Sequence, residues 1–186
     1  MAKSSFFILI LSFATFFSCS LNYETSNNSE NSVPEITFTN VNFEKYKDGK
    51  KNTALTAEKL EMYKSDNSMF AKEAKFFVFD YDGKTETEGS CTLIAADGGK
   101  ERYSLYGGIN VTLHKQNMQI FADSLRFNKK NEQLTGSSDG EVRLKKDGLS
   151  ISGKGFTASG VSHTFSFSAE TSGTILTDEE AESEEM

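Results

Sequence analysis

The sequence predicts an all-β domain, a sandwich, a barrel or a rolled antiparallel sheet, and three observations predict it. An eight-residue pattern recurs: apolar, any, Ala or Gly, any, any, apolar, any, apolar. About eleven short segments alternate apolar and polar residues, with turn dipeptides between them. No stretch joins a helical apolar stripe to caps, and the single proline, Pro34, precedes the first segment, where it breaks no ladder.

The recurring pattern is the strongest of these. Leu55 to Met62 fits it, as do Met69 to Phe76, Ile120 to Phe127 and Ile151 to Ala158. The last two lie 31 residues apart, and the same offset maps Val111 and Leu113 onto Val142 and Leu144. Such recurrence signals similar, stacked supersecondary units. Within each unit the phase slips. Ile120 and Ala122 share one face of a strand, whereas Leu125 and Phe127 sit at an odd offset from Ala122. A one-residue slip would turn the later side chains outward. A bulge or corner at Asp123-Ser124 restores the inward face, and the same slip falls at Glu58-Lys59 and Lys154-Gly155. The unit is a strand bent in the middle.

The predicted strands follow in order: Glu35 to Phe43, Ala54 to Met62, Met69 to Phe79, Gly89 to Ala95, Glu101 to Leu105, Ile109 to His114, Gln119 to Phe127, Gln133 to Thr135, Gly140 to Lys145, Ser150 to Ala158 and Thr164 to Ala169. Val, Thr, Phe and Tyr within them favour strands. Asp82-Gly83, Asp97-Gly98-Gly99, Asp139-Gly140 and Asp147-Gly148 supply turns. The inward set is rich in Phe, Leu, Ile and Val, with 16 Phe in the chain and no Trp. It suits a filled core or the lining of a trough.

The ends read differently. Residues 1–18 form a signal segment, with Lys3 as its positive start and an apolar run from Phe6 to Phe17 too short to span a bilayer. Ser18-Cys19 resembles a bacterial lipoprotein signal, with Phe16 where Leu is usual, so Cys19 is the expected lipidation site; an ordinary secretory signal or an uncleaved anchor is the alternative. Residues 19–32, rich in Asn, Ser, Glu and Thr, form a flexible tether. Residues 178–186 hold six acids and no base, a solvated acidic tail. The chain carries 20 Lys and Arg against 27 Asp and Glu, but the acids of tether and tail account for the excess. The domain over 33–177 is formally neutral and has no electrostatic footprint for nucleic acid.

Catalytic and metal chemistry find little support. Cys91 is the only cysteine besides Cys19 and is expected as a buried, inert thiol. No cysteine cluster has metal-ligand spacing. Of the two histidines, His114 falls on the polar face of its strand and His163 precedes Phe165 and Phe167. No nucleophile elbow and no Gly-rich phosphate loop is present, and Asp80 with Asp82 reads as turn chemistry. The chain is not expected to be an enzyme or to need a cofactor.

Several stretches, taken in order, resemble the LptC family of lipopolysaccharide export, which shares a β-jellyroll with the related bridge protein LptA. They are residues 55–63 (LTAEKLEMY), 105–111 (LYGGINV), 118–127 (MQIFADSLRF), 140–144 (GEVRL) and 149–156 (LSISGKGF). The resemblance spans about Ile36 to Thr174. It departs from the family in its anchor, since the familiar form has a transmembrane helix, and in the divergent stretch from Asp80 to Lys100. The resemblance implies an open, rolled antiparallel sheet whose apolar trough holds acyl chains. Mapped onto this chain, the trough residues are Leu55, Ala57, Leu60, Val111, Leu113, Ile120, Ala122, Leu125, Phe127, Val142, Leu144, Ile151 and Phe156, with Phe165 and Phe167 on the downstream docking edge. It further implies lipopolysaccharide or a related glycolipid as ligand, an inner-membrane ABC transporter as donor, and an LptA-like jellyroll as acceptor by edge pairing. The protein would then be periplasmic and lipid-anchored to the inner membrane, with the outer membrane as the alternative. The competing reading is an envelope lipoprotein with a closed core that binds a protein partner through its sheet edges.

Overall fold

A computed structural model describes residues 33–162 and 164–175. Twelve strands form one sheet: β1 (Ile36–Lys47), β2 (Lys50–Tyr63), β3 (Ser68–Phe79), β4 (Thr85–Asp97), β5 (Arg102–Leu113), β6 (Met118–Asn128), β7 (Gln133–Gly136), β8 (Glu141–Lys146), β9 (Leu149–Lys154), β10 (Thr157–Ser159), β11 (Thr164–Ser166) and β12 (Ala169–Ile175). All pairings are antiparallel. The only helical element among the described residues is a short 3-10 turn, His114–Gln116, which takes His114 out of the strand predicted for it.

β1 to β6 form a meander, and then the sheet divides. Residues 125–128 of β6 pair with β7, while residues 118–122 pair with β8. One branch continues through β10 to β11, the other through β9 to β12. The chain changes branch at residues 136–141, 154–157 and 166–169. Three sequence expectations are corrected here. The predicted strands 101–105 and 109–114 are one strand, because Gly107 and Gly108, at φ 75° and 54°, bulge without ending the ladder. The predicted strand 150–158 is two, because Gly155 at φ 63° turns the chain into the other branch. The predicted last strand ends at Ser166, and the separate β12 returns to pair with β9. The divergent stretch 80–100 contains β4, which pairs with both β3 and β5, with register shifts opposite Val78–Phe79 and between Ser90 and Leu93.

The bend predicted within strands runs as a line across the sheet. The β1–β2 ladder is interrupted at Asn40, at φ 52°, opposite Glu58. The β3–β4 ladder is interrupted at Glu73, at φ 49°, opposite Thr92. The β5–β6 register shifts between Tyr106 and Ile109, opposite Asp123. Left-handed residues in mid-strand are characteristic of bulges, and each one reorients the chain beyond it. Small residues flank the line: Ala57, Ala71, Ala74, Cys91 and Ala122. They leave room at the bend in β2, β3, β4 and β6. Two hairpins, at Asp48-Gly49 and Asp147-Gly148, have positive φ at both central residues, the type I′ geometry that matches strand twist.

Three measurements test this account. Leu125 is 1% exposed, so Leu125→Ala should lower the unfolding free energy by about 2–5 kcal/mol in urea titrations. Gly107→Ala places a Cβ at φ 75°, 2.8 Å from Thr92 Oγ1, and should cost about 1–3 kcal/mol by the same measurement. Cys91 is buried beside the bend, its thiol donates to the Leu93 carbonyl, and burial pushes its pKa up. A maleimide should therefore label it far more slowly in the native protein than in urea; equal rates would contradict this packing.

Candidate functional site

The register of the ladders assembles one continuous apolar face. On one side of the bend Phe38 lies opposite Leu60, Leu60 opposite Ala71, Ala71 opposite Ile94, Ile94 opposite Leu105 and Leu105 opposite Leu125. On the other side Phe43, Leu55, Phe76, Gly89, Val111, Ile120, Leu144 and Ile151 follow one another in the same way. Directly opposed residues share a face, so each row is a rung of one inner layer. Between the two sides Ile109 faces Ala122, and Ala122 faces Val142. The buried residues of both halves form one cluster. Gly89 belongs to a rung because the Phe76 ring lies over it, in space that any Cβ would take.

The structure brings every candidate trough residue onto this face. Leu55, Ala57, Leu60, Val111, Ile120, Leu125, Val142, Leu144 and Phe156 are buried in the cluster, and Leu113 and Ala122 pack against it. Phe127 is half-buried, opposite Tyr103 and Leu134, with its ring 6.4 Å from that of Tyr103. Ile151 is half-buried opposite Leu144. Phe165 is exposed on β11. Phe167 lies past the end of β11 and packs inward, its ring 5.4 Å from Phe156 and 6.2 Å from Phe165. The candidate trough residues left out Ala71, Ala74, Leu105 and Ile109, all buried in the layer, Cys91, which was expected to be buried and is, and the rim residues Ile36, Phe38, Phe43 and Met62. The unit Met69 to Phe76 already carried the signal for Ala71 and Ala74. Cys19, the signal segment, the tether, His163 and the acidic tail lie outside the described residues.

Burial along the layer is uneven. Leu125, Val142 and Phe156 are 1% exposed, so the layer between β6, β8 and β10 is filled by its own side chains. Towards β1 the same rungs open: Phe38 is 48% and Phe43 49% exposed, beside the exposed Ile36 and Met62. Among the described residues β1 has a ladder partner on one side only, β2, so its rung residues have half the described neighbours of an internal strand. A contiguous apolar rim of this kind marks a place where something apolar binds.

The outer face carries ion pairs beside a few aromatic side chains, among them Phe77 and Phe79, whose rings stack at 6.5 Å. Glu44 with Lys51 at 2.6 Å, Lys129 with Glu101 at 3.1 Å and Lys154 with Glu170 at 2.6 Å are exposed pairs. The hydrogen bond from Lys51 holds the Glu44 carboxyl below its usual range, and that from Lys154 does the same for Glu170. His114 lies 3.4 Å from Glu88, also at the surface. A cleft of about 320 Å³ lies on this face beside the bend, lined by Asn110, Phe121, Asp123, Glu141 and Arg143. Among the described residues no group of His, Cys, Asp and Glu is placed to hold a metal ion. Nor, among them, is any helix long and apolar enough to cross a membrane. The chemistry that the geometry offers is burial of apolar matter.

Comparison with known proteins gives one decisive match. Residues 6–176 match the family model described as lipopolysaccharide-assembly, LptC-related. Among solved structures the chain is similar to LptH, the LptA homologous periplasmic component of the conserved lipopolysaccharide transport device from Pseudomonas aeruginosa. That match has 9% identity and a TM-score of 0.33, covering 80% of this chain and 99% of the other. No curated protein matches the chain. The family match covers nearly the whole chain, all of the described sheet included, and by it this chain belongs to the LptC-related lipopolysaccharide-assembly family.

Proposed function

We propose that this protein is a membrane-tethered periplasmic carrier in lipopolysaccharide export. It shields the acyl chains of lipopolysaccharide, or of a related glycolipid, in its inner apolar layer. It receives them from an inner-membrane ABC transporter and passes them to an LptA-like jellyroll. The observation that carries this reading is the half-open rim of Ile36, Phe38, Phe43 and Met62, continuous with the buried rungs behind it. Keeping a methylene dry is worth about 0.8 kcal/mol. A tail of about a dozen methylenes therefore faces on the order of 10 kcal/mol in water, and a rim that covers it step by step removes most of that barrier.

The sheet also ends where partners can add to it. Among the described residues β1, 12 residues long, is an edge strand, and β11 and β12 end the two branches. Free edges are an aggregation hazard unless covered, and β-augmentation covers them. Phe165, exposed on β11, suits the downstream junction. Lipid on Cys19 and the tether over 19–32 would hold the domain near the membrane surface. A second reading, an envelope lipoprotein that docks a protein by its edges, is favoured by the packing around Leu125, Val142 and Phe156.

Site-specific crosslinking separates the two. A photo-crosslinking residue at Phe38 or Phe127, on the inner face, should trap lipopolysaccharide. One at Arg126, opposite Ser104 and Thr135 on the outer face, should not. Equal labelling at Arg126 and Phe127 would sink the trough, and lipid-free protein by mass spectrometry of the purified full chain would favour the docking reading.

A further inference from the structure

We propose that Phe167 and Ser168, where the chain passes from β11 to β12, form a strap that shuts the C-terminal end of the apolar layer and must lift before an acyl chain can leave by that end. The proposal rests on the reading of the layer as a lipid path.

The strap closes a specific gap. It spans the divide between the two branches of the sheet, because β11 ends one branch and β12 the other. Beneath it lies Phe156, the largest of the fully buried side chains. The rings of Phe156, Phe167 and Phe165 form a chain from buried to exposed, at 5.4 and 6.2 Å. Phe167 is thus the middle link between the closed layer and the free edge.

Two glycines make the seat. A Cβ on Gly153 would lie 2.9 Å from the Phe167 ring, and one on Gly155 would run into Ser168 Oγ. Gly155 also needs its positive φ of 63° to turn the chain. Any larger residue at either position would hold the strap off the layer. The seat is close-fitting, but the fastening is light. Among the described residues the strap itself is tied down by a backbone hydrogen bond from Ser168 N–H to the Lys154 carbonyl at 3.2 Å. β11 has only three residues, all exposed, and β12 is exposed throughout with a register irregularity between Ala169 and Ser172. Segments with few buried contacts and short ladders open most readily.

The two ends of the layer therefore differ. The β1 rim stands open, with Phe38 and Phe43 half-exposed, while the far end is shut by an aromatic plug under a lightly held strap. An acyl chain admitted at the rim meets the plug, and movement of Phe167 uncovers the route to the β11 edge.

A disulfide lock tests this. Lys154 and Ala169 are directly opposed partners on β9 and β12, so Lys154→Cys with Ala169→Cys, in a Cys91→Ser background of the full chain, pins the strap when oxidised. Purified lipopolysaccharide is the probe, with p-benzoylphenylalanine replacing Phe38 in one preparation and Phe165 in another. The expected result is that oxidation leaves labelling at Phe38 unchanged, reduces labelling at Phe165 to the level of an Arg126 control, and that reduction restores it. Equal labelling at Phe165 in both redox states overturns the strap and leaves the lipid reading standing. No labelling at Phe38 in either state overturns the lipid reading and the strap with it. Gly153→Ala, which lifts Phe167 without a lock, should raise labelling at Phe165 relative to Phe38, and an unchanged ratio counts against the strap.

Discussion

A strand carries its side chains on alternating faces, so a sheet that folds across its own strands must break the alternation at the crease or turn half its apolar residues to water. The structure depends on how this chain meets that constraint. At Asn40, Glu73 and Gly107-Gly108 a left-handed residue interrupts the ladder, and the partner strands give way opposite them at Glu58, Thr92 and Asp123. The apolar phase shifts at the same places, from Ala57 to Leu60, Ala71 to Ala74 and Ala122 to Leu125. Each strand therefore presents its apolar side chains inward on both sides of the crease. Ala and Cys at the crease itself leave room for the halves to approach.

From that crease follow both the packed middle and the open rim. Where the sheet divides, β8 adds Val142 and the link from β9 to β10 adds Phe156 to the layer, and Gly136 lets their side chains meet, since a Cβ there would lie 2.9 Å from Val142 and 3.3 Å from Phe156. No such division occurs at β1, and among the described residues no further strand covers its inner phenylalanines. The asymmetry comes from the topology: one end of the sheet is doubled by branching and the other is a single free strand. Under the proposed function, that open apolar rim is where an acyl chain enters. The charged outer face contributes solubility and little stability, since its ion pairs are exposed and well screened.

The sequence by itself determined the strand class, the bend and the family. Period-two alternation with a slip after Ala57 and Ala122 is a local signal, and local signals survive in a single chain. It identified inner residues from Leu55 to Phe156 because each belongs to a recurring unit. It did not mark Leu105 and Ile109 as one strand, since two glycines in succession look like a turn until a partner strand holds both sides in register. It missed β12 for the same reason: Ala169 to Ile175 is small and polar, and only pairing with β9 makes it a strand. The tertiary structure alone decided which inner residues are sealed and which are open. Phe38 and Leu125 look alike in sequence, yet among the described residues one lies on an edge strand and the other on β6 between β5 and β7, and exposure is set by neighbours distant along the chain.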